Sequence, residues 1–85
     1  MHLKAGMIVR SVSGHDKNNF YILLNVDGCF GHIVDGKRRK LIKPKLKNLK
    51  HVKPTHYNVD LSALENDCKV RKIIRTYTAE NGGNS

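Results

Sequence analysis

The sequence predicts a small, mainly β domain: five short strands closed into a barrel, with one or two short α-helices after them. Three observations predict it. Short apolar, β-rich runs alternate with Gly-, Asn- and Asp-rich connectors through the first half of the chain. From Asp60 onward the apolar spacing changes to that of a helix. The length of 85 residues and the 39% apolar fraction allow one core only, and short strands with tight links lose their exposed edges by closure.

Gly6 to Ser13 contains Met7-Ile8-Val9, a β-rich start that Gly14 closes, and reads as the first strand. Gly14 to Asn19 is a polar connector whose Asp and Asn side chains bond their own backbone in turns. Phe20 to Val26 is the second strand, and its unbroken apolar start implies burial on both faces, as in a central strand. Asp27-Gly28 is a two-residue hairpin signal. Cys29 to Asp35 returns as the third strand, with Gly31 marking a bulge, a bend or a close neighbouring backbone. Leu41-Ile42-Lys43 reads as a fourth strand, Lys45 to Asn48 as a tight helical turn, and Leu49 to Lys53 as a fifth strand ended by Pro54.

Asp60 reads as the N-cap of a short turn through Leu61 to Glu65, and Asp67 as the cap of a second helix. In that helix Val70, Ile73, Ile74 and Tyr77 form one apolar stripe, with Lys69, Arg71, Lys72 and Arg75 on the other side. The stripe is expected to dock on the barrel. Residues 1–56 are thus the expected barrel, 57–78 a helical extension packed on it, and 79–85 a disordered tail.

Charge is the strongest functional signal. The net charge is +9 and the sequence pI about 9.9. Nine of the sixteen basic residues lie between Lys37 and Lys53, and no acid occurs from Gly36 to Asn58. Like charges in a row repel, and such a row is best accommodated beside a polyanion whose condensed counterions are released on binding. Leu41, Ile42, Leu46, Leu49 and Val52 interrupt the charges and are expected to pack inward, which a disordered basic tail does not need. Lys37, Arg38, Arg39 and Lys40 are assigned to phosphate contacts, with Lys43, Lys45, Lys47, Lys50 and Lys53 extending the path. Arginine can grip phosphate in bidentate fashion or stack on a splayed base. The competing reading is a solvated basic face.

Other chemistries find less support. Cys29-x-x-His32, His51-x4-His56 and Cys68 imitate metal-ligand spacing, but alternating strand faces separate Cys29 from His32, and no paired Cys-x-x-Cys knuckle exists. The seven acids are scattered, no Gly-x4-Gly-Lys-Ser/Thr loop occurs, and a mid-strand Cys29 is expected to be a small buried hydrophobe. No enzyme activity, cofactor or metal is therefore expected. Phe20, Tyr21 and Phe30 sit within apolar runs and read as core; Tyr57 is the better candidate for an exposed stacking ring. No run reaches membrane-spanning length and no secretory leader is read, so a cytoplasmic monomer with reduced thiols is expected.

Gly6-x-Ile8-Val9-x-Ser11-x-x-Gly14-x-Asp16-Lys17, followed by an aromatic-led apolar strand, resembles the KOW motif. The further run Val34-Asp35-Gly36-Lys37-Arg38-Arg39, the segment Lys43 to His51 and a basic helix around Val70 to Arg75 are similar to small KOW-containing RNA-binding proteins, mostly from Gram-positive anaerobes. Those proteins are in turn similar to archaeal and eukaryotic large-subunit ribosomal proteins. Asn18 stands where that family has Gly, and Asn is the non-Gly residue best suited to a left-handed backbone. The resemblance covers most of residues 1–78 and implies an SH3-like barrel. It also implies binding to ribosomal RNA in the large ribosomal subunit, by shape and phosphate contacts, with His15, Lys17 and Asn18 as a second contact beside the basic segment. The alternative is a protein-interaction module that recruits a transcription or translation factor.

Overall fold

A computed structural model describes residues 3–14 and 17–80. Five antiparallel strands form one sheet: β1 (Met7–Ser11), β2 (Phe20–Asp27), β3 (Phe30–Val34), β4 (Lys45–Asn48) and β5 (Val52–Asn58). Among the described residues a single α-helix, α1 (Asp67–Glu80), follows, and short 3-10 turns lie at Leu49–His51 and Leu61–Ala63. The strand order is β4-β3-β2-β1-β5, so β2 is central.

The unbroken apolar run of β2 is buried on both sides. Tyr21 and Leu23 join Met7, Val9, Ile33, Leu49 and Val52 on one face. Ile22 joins Ile8 and Val34 on the other, where Val70 of α1 closes the layer. Ile73, Ile74 and Tyr77 pack beside Val70, so the apolar stripe docks on the sheet as its spacing predicts. Tyr77 also holds two rings edge-on: Phe20 at 5.4 Å and Tyr57 at 5.3 Å between centroids. Gly31 sits where a Cβ would lie 2.6 Å from the Asn25 carbonyl oxygen and 2.7 Å from Leu23 Cδ1. Beside it the β2–β3 register slips between Leu23 and Asn25, which is the close approach that a mid-strand glycine signals.

The sheet is not closed into a barrel. β4 and β5 are its two edges. The four-residue β4 ends at Asn48, whose side-chain oxygen accepts from Lys50 N–H at 3.1 Å and turns the chain into a 3-10 turn before any β4–β5 ladder forms. Leu49 and Val52 fold over the Tyr21 face instead of a closing ladder.

The basic half of the chain departs from the expected elements. Leu41-Ile42-Lys43 is a turn, not a strand: Lys43 N–H donates to the Lys40 carbonyl at 2.9 Å. Lys45–Asn48, expected as a helical turn, is β4, and the helical turn falls at Leu49–His51. β5 runs through Pro54, opposite Val9, rather than stopping there. An edge strand has one side without a ladder partner, and there a proline nitrogen is tolerated. Of the five apolar residues expected to point inward, Ile42 is 91% and Leu46 56% exposed. The two-residue hairpin loop is Gly28-Cys29, one position later than expected, since Asp27 pairs with Phe30. Gly28 has φ +61°, which suits the first loop position of a type II′ turn. Cys29 is therefore an exposed turn residue and not a buried strand residue.

Opposite Ile8 the β1–β5 register slips, between the pairs Met7–Asn58 and Val9–Pro54. Thr55 Oγ1 donates to the Ile8 carbonyl at 2.6 Å, and His56 takes φ +69°. Asp60 caps the Leu61–Ala63 turn as expected. Asn66, not Asp67, caps α1, accepting from Lys69 N–H at 2.9 Å. The helix extends through Glu80; residues 81–85 of the expected tail lie outside the described residues.

Candidate nucleic-acid interface

The Lys37–Lys40 run is held by its neighbours rather than hanging free. Asp35 Oδ1 accepts from both Lys37 N–H and Arg39 N–H at 2.9 Å. The Arg39 carbonyl accepts in return from Asp35 N–H and Gly36 N–H, at 2.9 and 3.1 Å. Two bonds tie this knot to α1: Arg71 Nη1 donates to the Gly36 carbonyl at 2.7 Å, and Leu41 N–H donates to Asp67 Oδ1 at 2.8 Å. Gly36 is buried under the helix with φ +79°. Its missing Cβ makes room for the Asp67 carbonyl oxygen and the Arg71 stem. The loop backbone is thus fixed while Lys37, Arg38 and Lys40 stay exposed and Arg39 is half-buried. Fixing it in advance lowers the ordering cost of binding.

A cleft of about 730 Å³ opens beside this loop. Lys37 and Arg38 form one side, Arg71 and Arg75 of α1 the other. Their i, i+4 spacing puts both arginines on one stripe of the helix. Asn18 and Asn19 of the β1–β2 loop complete the rim, and Phe20 and Ile74 supply its apolar lining. Asp35 is the one acid among the described lining residues, and its Oδ1 is already engaged by the loop. Asn18 adopts φ +71°, a left-handed conformation that Asn tolerates better than other non-Gly residues. Its Oδ1 accepts from Arg10 Nη1 at 3.0 Å. Arg10 in turn pairs with Lys53 across β1 and β5 and with Phe20 across β1 and β2, so a cationic row runs over the sheet to the cleft.

The structure therefore brings Lys37, Arg38 and Asn18 together and links Lys53 to them through Arg10. Lys40 and Lys43 follow on the same loop. Lys45 and Lys47 are half-buried on β4, opposite Ile33 and Gly31, on the sheet face away from α1. Lys50 is exposed in the 3-10 turn, and Lys17 in the β1–β2 loop; His15 lies outside the described residues. The nine cations do not make one continuous row. Arg10, Arg71 and Arg75 were not in the sequence-derived set, although the helix periodicity already put Arg71 and Arg75 on a shared face.

The aromatic and thiol candidates are placed as follows. Tyr21 is buried, Phe20 half-buried in the cleft wall, and Phe30 exposed on β3. Tyr57 is 38% exposed but its ring packs on Tyr77. His32 Nδ1 lies 3.1 Å from Asn25 Oδ1, and Cys29 and Cys68 are exposed. Among the described residues no three His, Cys, Asp or Glu side chains come together as a metal site. No helix among the described residues is long and apolar enough to cross a membrane. Away from the cleft, the Asp60 carboxyl is held below its ordinary value by the Ser62 hydroxyl first and the Ser62 amide second. The sequence matches no protein-family model, and no curated protein matches it at a significant level.

Proposed function

We propose that this chain is an RNA-binding module that grips the sugar–phosphate backbone of a structured RNA through the cleft between the basic loop and α1. One observation carries the reading: Lys37 and Arg38 converge with Arg71 and Arg75, from a helix more than thirty residues later, around a single concavity. Cations brought together from two elements meet a shared electrostatic cost, and a polyanion offsets it by counterion release. The fold reading is SH3-like. In its support, β2, β3 and β4 run as a meander, β5 returns to β1, and a 3-10 turn separates β4 from β5. The resemblance of residues 34–51 to KOW-containing proteins points to ribosomal RNA of the large subunit as the partner.

Sedimentation tests this reading. The protein is expected to co-migrate with large ribosomal subunits at low salt, to be stripped by salt, and to rebind purified ribosomal RNA alone. Association that survives nuclease treatment would instead indicate a protein partner.

A further inference from the structure

We infer that the cleft receives one unpaired nucleotide of the RNA, its base against Phe20 and Ile74 and its phosphate among Lys37, Arg38 and Arg75. The inference rests on the RNA reading and deepens it. A surface built only for backbone phosphates needs charge but no concavity. Here the cations surround a cleft of about 730 Å³, within the range of sites that enclose small molecules. Its lining is chemically divided. Phe20 and Ile74 are apolar, and the Phe20 ring is held in place by its edge contact with Tyr77, 5.4 Å between centroids at 61°. A fixed aromatic ring is a stacking platform for any base.

The polar lining suits a base edge. Asn18 Oδ1 is engaged by Arg10, which leaves its amide nitrogen to donate. Thr78 Oγ1 donates to the Arg75 carbonyl at 3.0 Å, which leaves its lone pairs to accept. Arg71 spends one of its five N–H donors on the Gly36 carbonyl, so Lys37, Arg38 and Arg75, joined by the remaining Arg71 donors, are the groups that meet phosphate. A paired base in an A-form helix cannot enter such a cleft, because its edge and faces are covered. Proteins read RNA mainly at loops and bulges, where bases are splayed out. The cleft thus selects structured RNA with an unpaired residue over uninterrupted duplex.

The test compares two fluorescein-labelled RNA duplexes, each of two annealed strands with the same number of base pairs, one uninterrupted and one with a single-nucleotide bulge, by anisotropy at matched salt. The bulged duplex is expected to bind about fivefold tighter or better, the lower bound for one stacked base. Thr78→Tyr, checked for folding by circular dichroism, puts a ring into the cleft and is expected to bring that ratio down to about one. Asn19→Trp does the same from the β1–β2 loop if Thr78→Tyr does not fold. Equal binding of the two duplexes by the wild type would overturn the inference and leave the RNA reading standing. A bulge preference that survives both fills would overturn the cleft as its seat. Binding of neither duplex at low salt would overturn the RNA reading itself.

Discussion

Replacing Gly36 by Ala tests how the basic loop is seated. The new Cβ would lie 2.5 Å from the Asp67 carbonyl oxygen, 2.8 Å from Arg71 Cγ and 3.1 Å from Arg71 N. Two of these atoms belong to the helix backbone and cannot swing aside. Overpacking of this kind costs about 1–3 kcal/mol. The residue also has φ +79°, where a side chain adds about 1–2 kcal/mol. Gly28→Ala separates the two effects: Gly28 has φ +61°, but nothing lies within 4 Å of its added Cβ. The gain from stiffening the unfolded chain is common to both substitutions and cancels between them. Urea unfolding followed by circular dichroism should therefore show Gly36→Ala less stable than Gly28→Ala by about 1–3 kcal/mol, and thermal unfolding should show its midpoint lower by roughly 4–24 °C for a domain this size. Equal losses in the two variants would refute the packing of the loop against α1.

Further outcomes follow from the same geometry. Asp67→Ala leaves the half-buried Leu41 N–H without its acceptor and should cost about 1–3 kcal/mol, whereas Asp67→Asn keeps an acceptor and should cost less; paired urea titrations decide. His56, exposed with φ +69°, should be improved by glycine: His56→Gly is expected to raise stability by about 0.5–1 kcal/mol, seen as a higher thermal midpoint. The Asp60 carboxyl is held below its ordinary value in the folded chain, so its capping contribution is complete above a pH of about 4 and fades as pH falls through the lower folded value. Asp60→Asn should accordingly flatten the stability profile below a pH of about 4, as read from thermal midpoints taken across that acid range.

The elements that were legible in the sequence are those whose signal is local. The run Phe20 to Leu24 told of a strand buried on both sides, and the stripe Val70, Ile73, Ile74 and Tyr77 told of a docked helix. Asn18 could be read as a left-handed turn residue because the Asn side chain itself tolerates that conformation. Residues 41–51 were misread because their apolar positions answer to distant partners. Leu41 is half-buried against the cluster of Ile8, Ile22, Val34 and Val70, its own amide held by Asp67, 26 positions later, while its neighbour Ile42 stays in solvent. Adjacent apolar residues look like a strand when only one of them finds a core. Leu46 and Leu49, three apart, imitate a helical turn, yet one is an exposed strand residue and the other closes the Tyr21 face. The closed barrel failed for a related reason: nothing in residues 45–48 shows that Asn48 will cap a turn and end the strand so early. At the site, charge density was plain, but its division was not. Lys45 and Lys47 fall on the far sheet face, and the groups that complete the cleft come from α1. No local pattern reveals that Arg71 reaches the Gly36 carbonyl.

The most direct measurement is the salt dependence of affinity for a structured RNA, taken for the wild type and for Lys37→Gln/Arg38→Gln/Arg75→Gln. With about five phosphates engaged, the wild type should lose affinity with a log–log slope of roughly −4. Removing three cleft cations should weaken binding and make that slope shallower by about 2–3. An unchanged affinity and an unchanged slope would show that the RNA, if bound at all, is held somewhere other than the cleft between the basic loop and α1.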